Sequence, residues 1–182
     1  MKKQIIAIVG ILLITGCAGT KAPSKSDVPE WYLSPPKYEG MFVGVGDHLG
    51  PSMSLSKQSA TQRARTEIAT AVETQVKSML KNYLQQSGMG ADASALQFTE
   101  SVSKSVANTT LQGSVIDRTE IKDGRVFVMV TYDANGVREQ AKATARSAAK
   151  KQEALYNEFK ARQGFEALDK EFDNMETTSS TS

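Results

Sequence analysis

The sequence predicts an α+β fold: a small three-stranded sheet in the order β-α-α-β-β, with helices on one face and an appended C-terminal helix. Three observations predict it. Residues 41–46 (MFVGVG) form the short, β-branched apolar run of a strand. Apolar residues then recur at helical spacing over residues 56–86. Farther along, Asp123 and Gly124 form a two-residue hairpin turn between two β-rich runs.

The first predicted strand carries two glycines on one face. Gly44 and Gly46 are two residues apart, so they leave a flat strip where another element can approach closely. With Gly50 they give a pattern one residue longer than the dinucleotide fingerprint, and the next strand comes far beyond a ~30-residue βαβ unit. We therefore expect the glycines to serve close packing rather than a phosphate site.

Two helices are predicted between the first strand and the hairpin. The first covers residues 56–86, with Ser54 or Ser56 as its cap and Gly88 and Gly90 as its stop. The second covers residues 91–110 and is rich in Ser and Thr, so it depends on packing. The apolar stripes expected to form the core are Ala64, Ile68, Val72, Val76, Met79 and Tyr83 in the first helix, and Ala95, Phe98, Val102 and Val106 in the second.

The hairpin turn fixes the expected register of the last two strands. Pairing outward from it sets four pairs opposite each other: Ile121 with Val126, Thr119 with Val128, Asp117 with Val130, and Val115 with Tyr132. This face carries most of the apolar residues of both strands. We expect it to contact the long helix.

Residues 137–175 are predicted to form one continuous charged helix outside the core. Four cations lie four residues apart in its first part: Arg138, Lys142, Arg146 and Lys150. Residues 138–151 carry a net charge of +4, and residues 152–176 a net charge of −4. Two interpretations stay open: a solvated face with screened charges, or a polarised arm that pairs with a neighbouring copy or contacts an anionic envelope polymer.

The N-terminus predicts a lipid anchor at Cys17, the only cysteine. Lys2 and Lys3 precede a short apolar run, which is the pattern of a secretory signal and is far below the ~20 residues of a membrane-spanning helix. Gly16-Cys17 resembles the lipobox of bacterial lipoproteins, in which the cysteine receives a diacylglycerol and, after cleavage, an N-acyl chain. Ala18 follows the cysteine where Asp would favour the inner membrane. The resemblance therefore implies an outer-membrane protein that faces the periplasm.

Cleavage at this site divides the chain and changes its charge. We expect a signal peptide at residues 1–16, a lipidated cysteine and flexible tether at 17–28, an α+β domain at 29–136, the charged helix at 137–175 and a disordered tail at 176–182. The precursor has 22 basic and 20 acidic residues, but two of the lysines lie in the leader, so the mature chain is neutral. No overall positive field remains to favour nucleic acid.

The sequence shows no arrangement of catalytic residues, and we expect no enzyme, no metal and no cofactor beyond the covalent lipid. His48 is the only histidine, so a metal site or a hydrolytic triad would depend on it, and no Gly-x-Ser-x-Gly motif is present. With Cys17 lipidated, no thiol remains as a nucleophile or ligand. We expect His48 to lie at the surface or in a loop.

Residues 29–36 (PEWYLSPP) form an aromatic, proline-rich segment that is predicted to be non-helical. Trp31 and Tyr32 can form an interaction surface or a lid over the protein's own core. This segment, the Phe-Val-Gly-Val-Gly strand, the alanine-rich helix and the order of the elements over residues 29–135 resemble the LPP-twenty family of bacterial outer-membrane lipoproteins.

The resemblance implies a non-enzymatic envelope protein, in some members a ring or disk subunit of the flagellar motor. We therefore expect a structural role with self-association, and with the membrane, further copies of the chain and flagellar basal-body proteins as partners. The candidate interaction residues are Trp31, Tyr32 and the four cations of the charged helix. The alternative is a module that binds an envelope ligand such as a peptidoglycan fragment on the open sheet face or the glycine strip.

Overall fold

The computed structural model describes residues 27–89 and 93–175. The elements within these ranges are α1 (Glu30–Leu33), β1 (Met41–His48), α2 (Met53–Gln86), α3 (Ala93–Gly113), β2 (Val115–Lys122), β3 (Arg125–Asp133), α4 (Ala134–Lys150), α5 (Glu153–Ala161) and α6 (Gly164–Asp173). The strands form one antiparallel sheet in the order β1-β3-β2. The predicted α+β class is confirmed. The predicted signal peptide, Cys17, most of the tether and the tail lie outside the described residues.

None of the helices within the described ranges has both the length and the hydropathy that crossing a bilayer requires.

Helix α2 begins at Met53, three residues before the predicted start. Its cap is Ser52, whose Oγ accepts a hydrogen bond from the Leu55 amide at 3.3 Å. The predicted caps were therefore wrong: Ser56 lies inside the helix, and its Oγ accepts a hydrogen bond from the Gly50 amide at 2.9 Å. The helix packs on β1 and β3 and on α3.

Gly44 and Gly46 allow α2 to lie directly on β1. A Cβ atom at Gly44 would come within 2.4 Å of the Ala64 carbonyl oxygen, and one at Gly46 within 2.2 Å of the Ala60 carbonyl oxygen. No side chain fits at such distances, so glycine is required at both positions. The expected close packing is confirmed, and α2 fills the strip that an envelope ligand would have occupied.

The hairpin register is confirmed only near the turn. Ile121 pairs with Val126 and Thr119 with Val128, but the register then shifts by one residue at Asp117. Beyond this β-bulge, Ile116 pairs with Val130 and Val115 with Thr131, so the two outer pairs of the prediction were wrong. A bulge sets two residues of one strand against one of the other, and alternation within β2 does not reveal it.

The core lies between the sheet and the long helices. The central strand β3 contributes Val126, Val128 and Val130 to it, all fully buried, as predicted. The stripes of α2 and α3 meet them, with Leu80 fully buried beside a half-buried Met79. The long helices therefore cover one sheet face.

The C-terminal region is three helices rather than one, and it is not an appendage. After α5, Gln163 adopts a left-handed conformation (φ 50°) immediately before Gly164, and this reverses the chain. α6 then packs against α4. Phe159, Leu168 and Phe172 are buried in the same core as α2 and α3. The prediction of a single helix failed at two breaks. Lys151 and Gln152 separate α4 from α5 without a glycine or proline, and the turn at Gln163 and Gly164 was not recognised.

Candidate functional site

The aromatic segment at residues 29–36 contains one helical turn, α1, so the prediction that it is non-helical was wrong. Pro29 lies at the N-cap, where it needs no amide hydrogen, and its carbonyl accepts hydrogen bonds from the amides of Tyr32 at 3.0 Å and Leu33 at 3.3 Å. The turn ends at Ser34, directly before Pro35. Prolines at both ends therefore limit this helix without preventing it.

Tyr32 attaches α1 to the sheet face opposite the long helices. Its ring packs edge-on against Phe127, with 5.1 Å between the ring centroids. Its hydroxyl donates a hydrogen bond to Asp47 Oδ1 at 2.7 Å. Arg125 donates to the other carboxylate oxygen of Asp47, and Arg63 donates to the Asp47 backbone carbonyl at 2.9 Å. Asp47 thus joins α1 to β1, β3 and α2.

The pKa values of this pair are shifted apart. Burial, helped by the hydrogen bond to Asp47, raises the pKa of Tyr32 to about 12. Burial also opposes ionisation of Asp47, but the hydrogen bonds from Tyr32 and Arg125 outweigh it and hold the pKa of this carboxyl below its usual range. At neutral pH a neutral phenol therefore donates to a carboxylate, an arrangement suited to holding α1 in place rather than to proton transfer.

Trp31 is held by β2. Its Nε1 donates a hydrogen bond to Glu120 Oε2 at 2.8 Å, and the Arg118 guanidinium lies 5.8 Å from the centre of its ring. Trp31 and Tyr32 are both half-buried. Of the two interpretations from the sequence, the structure therefore supports the lid. Trp31 and Tyr32 cover the sheet face that was expected to be open.

The row of cations on α4 faces α6 of the same chain. The contacts are as follows: Arg138 Nη2 donates to the Met175 carbonyl at 2.7 Å, Lys142 Nζ to Asp173 Oδ1 at 2.6 Å, and Arg146 to both oxygens of Asp169 at 3.0 and 2.6 Å. Lys150 is exposed and, within the described residues, forms no ion pair. The opposite charges that suggested pairing between copies thus meet within one chain.

His48 lies at the end of β1, half-buried beside a shallow cleft that also includes Arg63 and Thr66. Within residues 27–89 and 93–175 there is no group of three or more His, Cys, Asp or Glu side chains that could hold a metal ion. His48 is therefore not part of a described metal site.

Exposed apolar side chains gather on the edge strand β2. Val115 is 65% exposed, Ile116 38% and Ile121 52%, because the long helices pack mainly on β1 and β3. Among the described strands β2 pairs only with β3, so its outer edge presents unpaired amide and carbonyl groups. The sequence prediction had placed Val115 and Ile121, but not Ile116, on the face that contacts the long helix.

A groove of about 880 Å³ lies between α2 and the end of α6. Its apolar part includes Met79, Tyr83 and Met175, and its two ionisable acids are Glu67 and Glu171. Hydroxyl and amide side chains supply the rest of the lining: Thr70, Thr74, Gln75, Ser78, Asn82, Gln86 and Asn174. The sequence did not predict this groove, because it exists only when α6 folds back onto α2.

No protein-family model, curated protein or solved structure matches this chain. Its function is therefore inferred from the surfaces described above and from the N-terminal sequence.

Proposed function

We propose that this chain is a lipoprotein, anchored in the outer membrane through Cys17 and facing the periplasm, with a structural, non-enzymatic role in assembly. The observation that carries the proposal is β2, a strand with an open edge and three exposed apolar side chains. Such an edge pairs readily with another chain. The LPP-twenty resemblance supports the same role, and a self-associating ring or disk component at the flagellar basal body is its most specific version.

The anchor and the assembly surface are compatible in space. A diacylglycerol with an N-acyl chain gives stable membrane attachment, whereas a single chain is marginal. The eleven residues 18–28 reach roughly 36–40 Å when fully extended. The domain can therefore contact neighbours at the membrane surface while its anchor remains inserted.

The anchor is tested with labelled palmitate. Label should appear in the wild-type chain and disappear in Cys17→Ser, which should also leave the membrane fraction. Equal labelling and fractionation of the two forms would contradict the proposed attachment.

Assembly is tested on the detergent-solubilised wild-type chain by light scattering and chemical cross-linking. Ile121→Lys should reduce the oligomer because it places a charge on the β2 surface. The matched control is Leu96→Lys, since Leu96 is 56% exposed on α3 and Ile121 is 52% exposed on β2. A wild-type chain that is monomeric, or equal losses of assembly in both variants, would refute the β2 assignment.

A second candidate function, an envelope ligand-binding module, is favoured by the groove between α2 and α6. Its hydroxyl and amide groups beside Tyr83 suit a ligand rich in hydroxyl and amide groups, such as a peptidoglycan fragment, and its two acids suit an amine. This is tested by titrating the protein with a muropeptide and measuring the heat of binding by calorimetry. Binding by the wild type that is lost in Ser78→Arg and kept in Asn108→Arg, an exposed position on α3, would favour this candidate.

A further inference from the structure

We propose that β2 pairs antiparallel with β2 of a second copy, about a two-fold axis at Thr119. This inference rests on the proposed assembly function and names the partner and the register of its surface. The pair would join two three-stranded sheets into one six-stranded sheet, in the order β1-β3-β2-β2-β3-β1.

The strand is self-complementary in charge when the axis passes through Thr119. Arg118 of each copy then lies directly opposite Glu120 of the other, on the same sheet face, which is a favourable pair made twice. Moving the axis to Arg118 or Glu120 brings cations together, either Arg118 against itself or Arg118 against Lys122. Moving it midway between Arg118 and Thr119 sets Asp117 against Glu120.

A register centred on Ile121 would set Glu120 against Lys122, but it pairs only residues 120–122 of the strand. The other registers that bring opposite charges together depend on Asp117. This residue is the extra residue of the β-bulge and has no partner in the ladder between β2 and β3. Its side chain is therefore poorly placed for a regular cross-strand pair. The register centred on Thr119 uses Arg118 and Glu120, which both lie in the regular part of the strand.

The same register also brings the exposed apolar residues together. Ile121 lies opposite Val126 and Ile116 opposite Val130, so both side chains point to the sheet face that carries the long helices. In the proposed dimer, Ile121 of one copy lies opposite the β-bulge at Asp117 of the other. The neighbouring Ile116 supplies the apolar side chain there, on the face that carries the long helices. One face of the junction thus carries the isoleucines on either side of a central Thr119 pair, and the other face carries the charge pairs.

The other edge of the sheet is not equivalent to β2. On β1 the Val45 amide already donates a hydrogen bond to Glu67 Oε2 at 2.6 Å, and α2 packs along this strand. A head-to-tail chain of β2 on β1 is therefore disfavoured. Pairing of β2 with itself closes on two copies, so a ring or disk would need a second interface.

A cysteine at position 119 tests the register in the full-length chain. On the axis the two Cα atoms lie about 4.5–5.5 Å apart, within the range that a disulfide spans. If the register of one strand shifts by one residue, the side chains at position 119 of the two copies lie on opposite faces of the sheet. Thr119→Cys should form a disulfide-linked dimer on oxidation, whereas the parent chain, which has only Cys17, and Asn108→Cys on α3 should not.

Charge exchange provides a second test that does not depend on the cysteine. Arg118→Glu and Glu120→Arg each place like charges opposite one another and should raise the dimer dissociation constant roughly tenfold. The double variant Arg118→Glu/Glu120→Arg should restore it. Both residues also contact Trp31, so thermal unfolding followed by circular dichroism checks that each variant stays folded.

The outcomes separate this inference from the proposed function. A disulfide at position 119 with rescue by the double variant supports the β2 pair. An oligomeric wild type without that disulfide, and without a response to charge exchange in variants that stay folded, overturns the β2 pair and leaves assembly in place. A monomeric wild type overturns both.

Discussion

Replacing Gly46 with alanine should destabilise the fold by forcing α2 away from β1. The added methyl carbon would lie 2.2 Å from the Ala60 carbonyl oxygen and 2.6 Å from the Ala64 amide nitrogen. Both atoms belong to the backbone of α2 and cannot rotate away. The helix must therefore move by roughly 1 Å, and its whole apolar stripe must move with it.

The size of the effect follows from the cost of overpacking. One extra methyl group in a close-packed core costs about 1–3 kcal/mol, and the obstruction by backbone atoms favours the upper end. For a domain of this size, a loss of about 3 kcal/mol corresponds to a fall in Tm of roughly 6–12 °C. The change should appear in thermal unfolding followed by far-ultraviolet circular dichroism.

Gly136→Ala is the matched control because it adds the same methyl group with the opposite expected sign. Gly136 lies in α4, and the nearest atom to an added Cβ is the Tyr132 hydroxyl oxygen at 3.4 Å, an ordinary contact. Alanine in a helix interior is favoured over glycine by about 1 kcal/mol, and Gly136 lies in the first turn of α4, so Tm should rise by no more than roughly 2–4 °C. If Gly46→Ala melted at or above the parent temperature, α2 would not approach β1 as described.

Three further predictions concern charge and burial. Asp47→Asn should lower the free energy of unfolding by about 1–3 kcal/mol at neutral pH. In urea titrations this loss should shrink as the pH falls below about 4. The pKa of Asp47 is lower in the folded than in the unfolded state, so its carboxylate stabilises the fold above the unfolded pKa and stops doing so as the pH falls through the folded pKa. A difference between the variants that did not change with pH would contradict this. Arg146→Glu breaks the pair with Asp169 and should lower Tm without dispersing an assembly. Adding Asp169→Arg should restore Tm. Dispersal of the assembly at an unchanged Tm would instead favour pairing between copies. Val128→Asp should abolish cooperative unfolding, since Val128 is fully buried, while Ser101→Asp on the exposed side of α3 should not; equal melting of the two would refute the assignment of the core face.

The sequence by itself determined the elements whose cause is local. Apolar residues at helical spacing defined α2 within three residues at its start, because the period of a helix is written in the chain. The two-residue turn at Asp123 and Gly124 set the first two predicted pairs of the hairpin, because the turn fixes which residues lie opposite each other next to it. Gly44 and Gly46, which share one face of β1, likewise predicted a close approach of another element.

Only the tertiary structure decided which partner each surface received. Trp31 and Tyr32 were recognisable as an amphipathic pair, but their hydrogen-bond acceptors were not. Glu120 is 89 residues from Trp31, and no sequence motif indicates that Asp47 accepts from Tyr32. Sequence separation also hid the pair of Arg146 with Asp169, which forms only once the chain reverses at Gln163.

The same limit applies to β2. Its predicted register placed Val115 and Ile121 on the face that contacts the helices. The bulge moves Val115 to the opposite face, and the extent of the helix layer leaves Ile121 exposed. Local periodicity is set by backbone geometry, which every segment carries with it. The choice of partner depends instead on chain reversals and on how far neighbouring layers extend, and these are properties of the assembled fold.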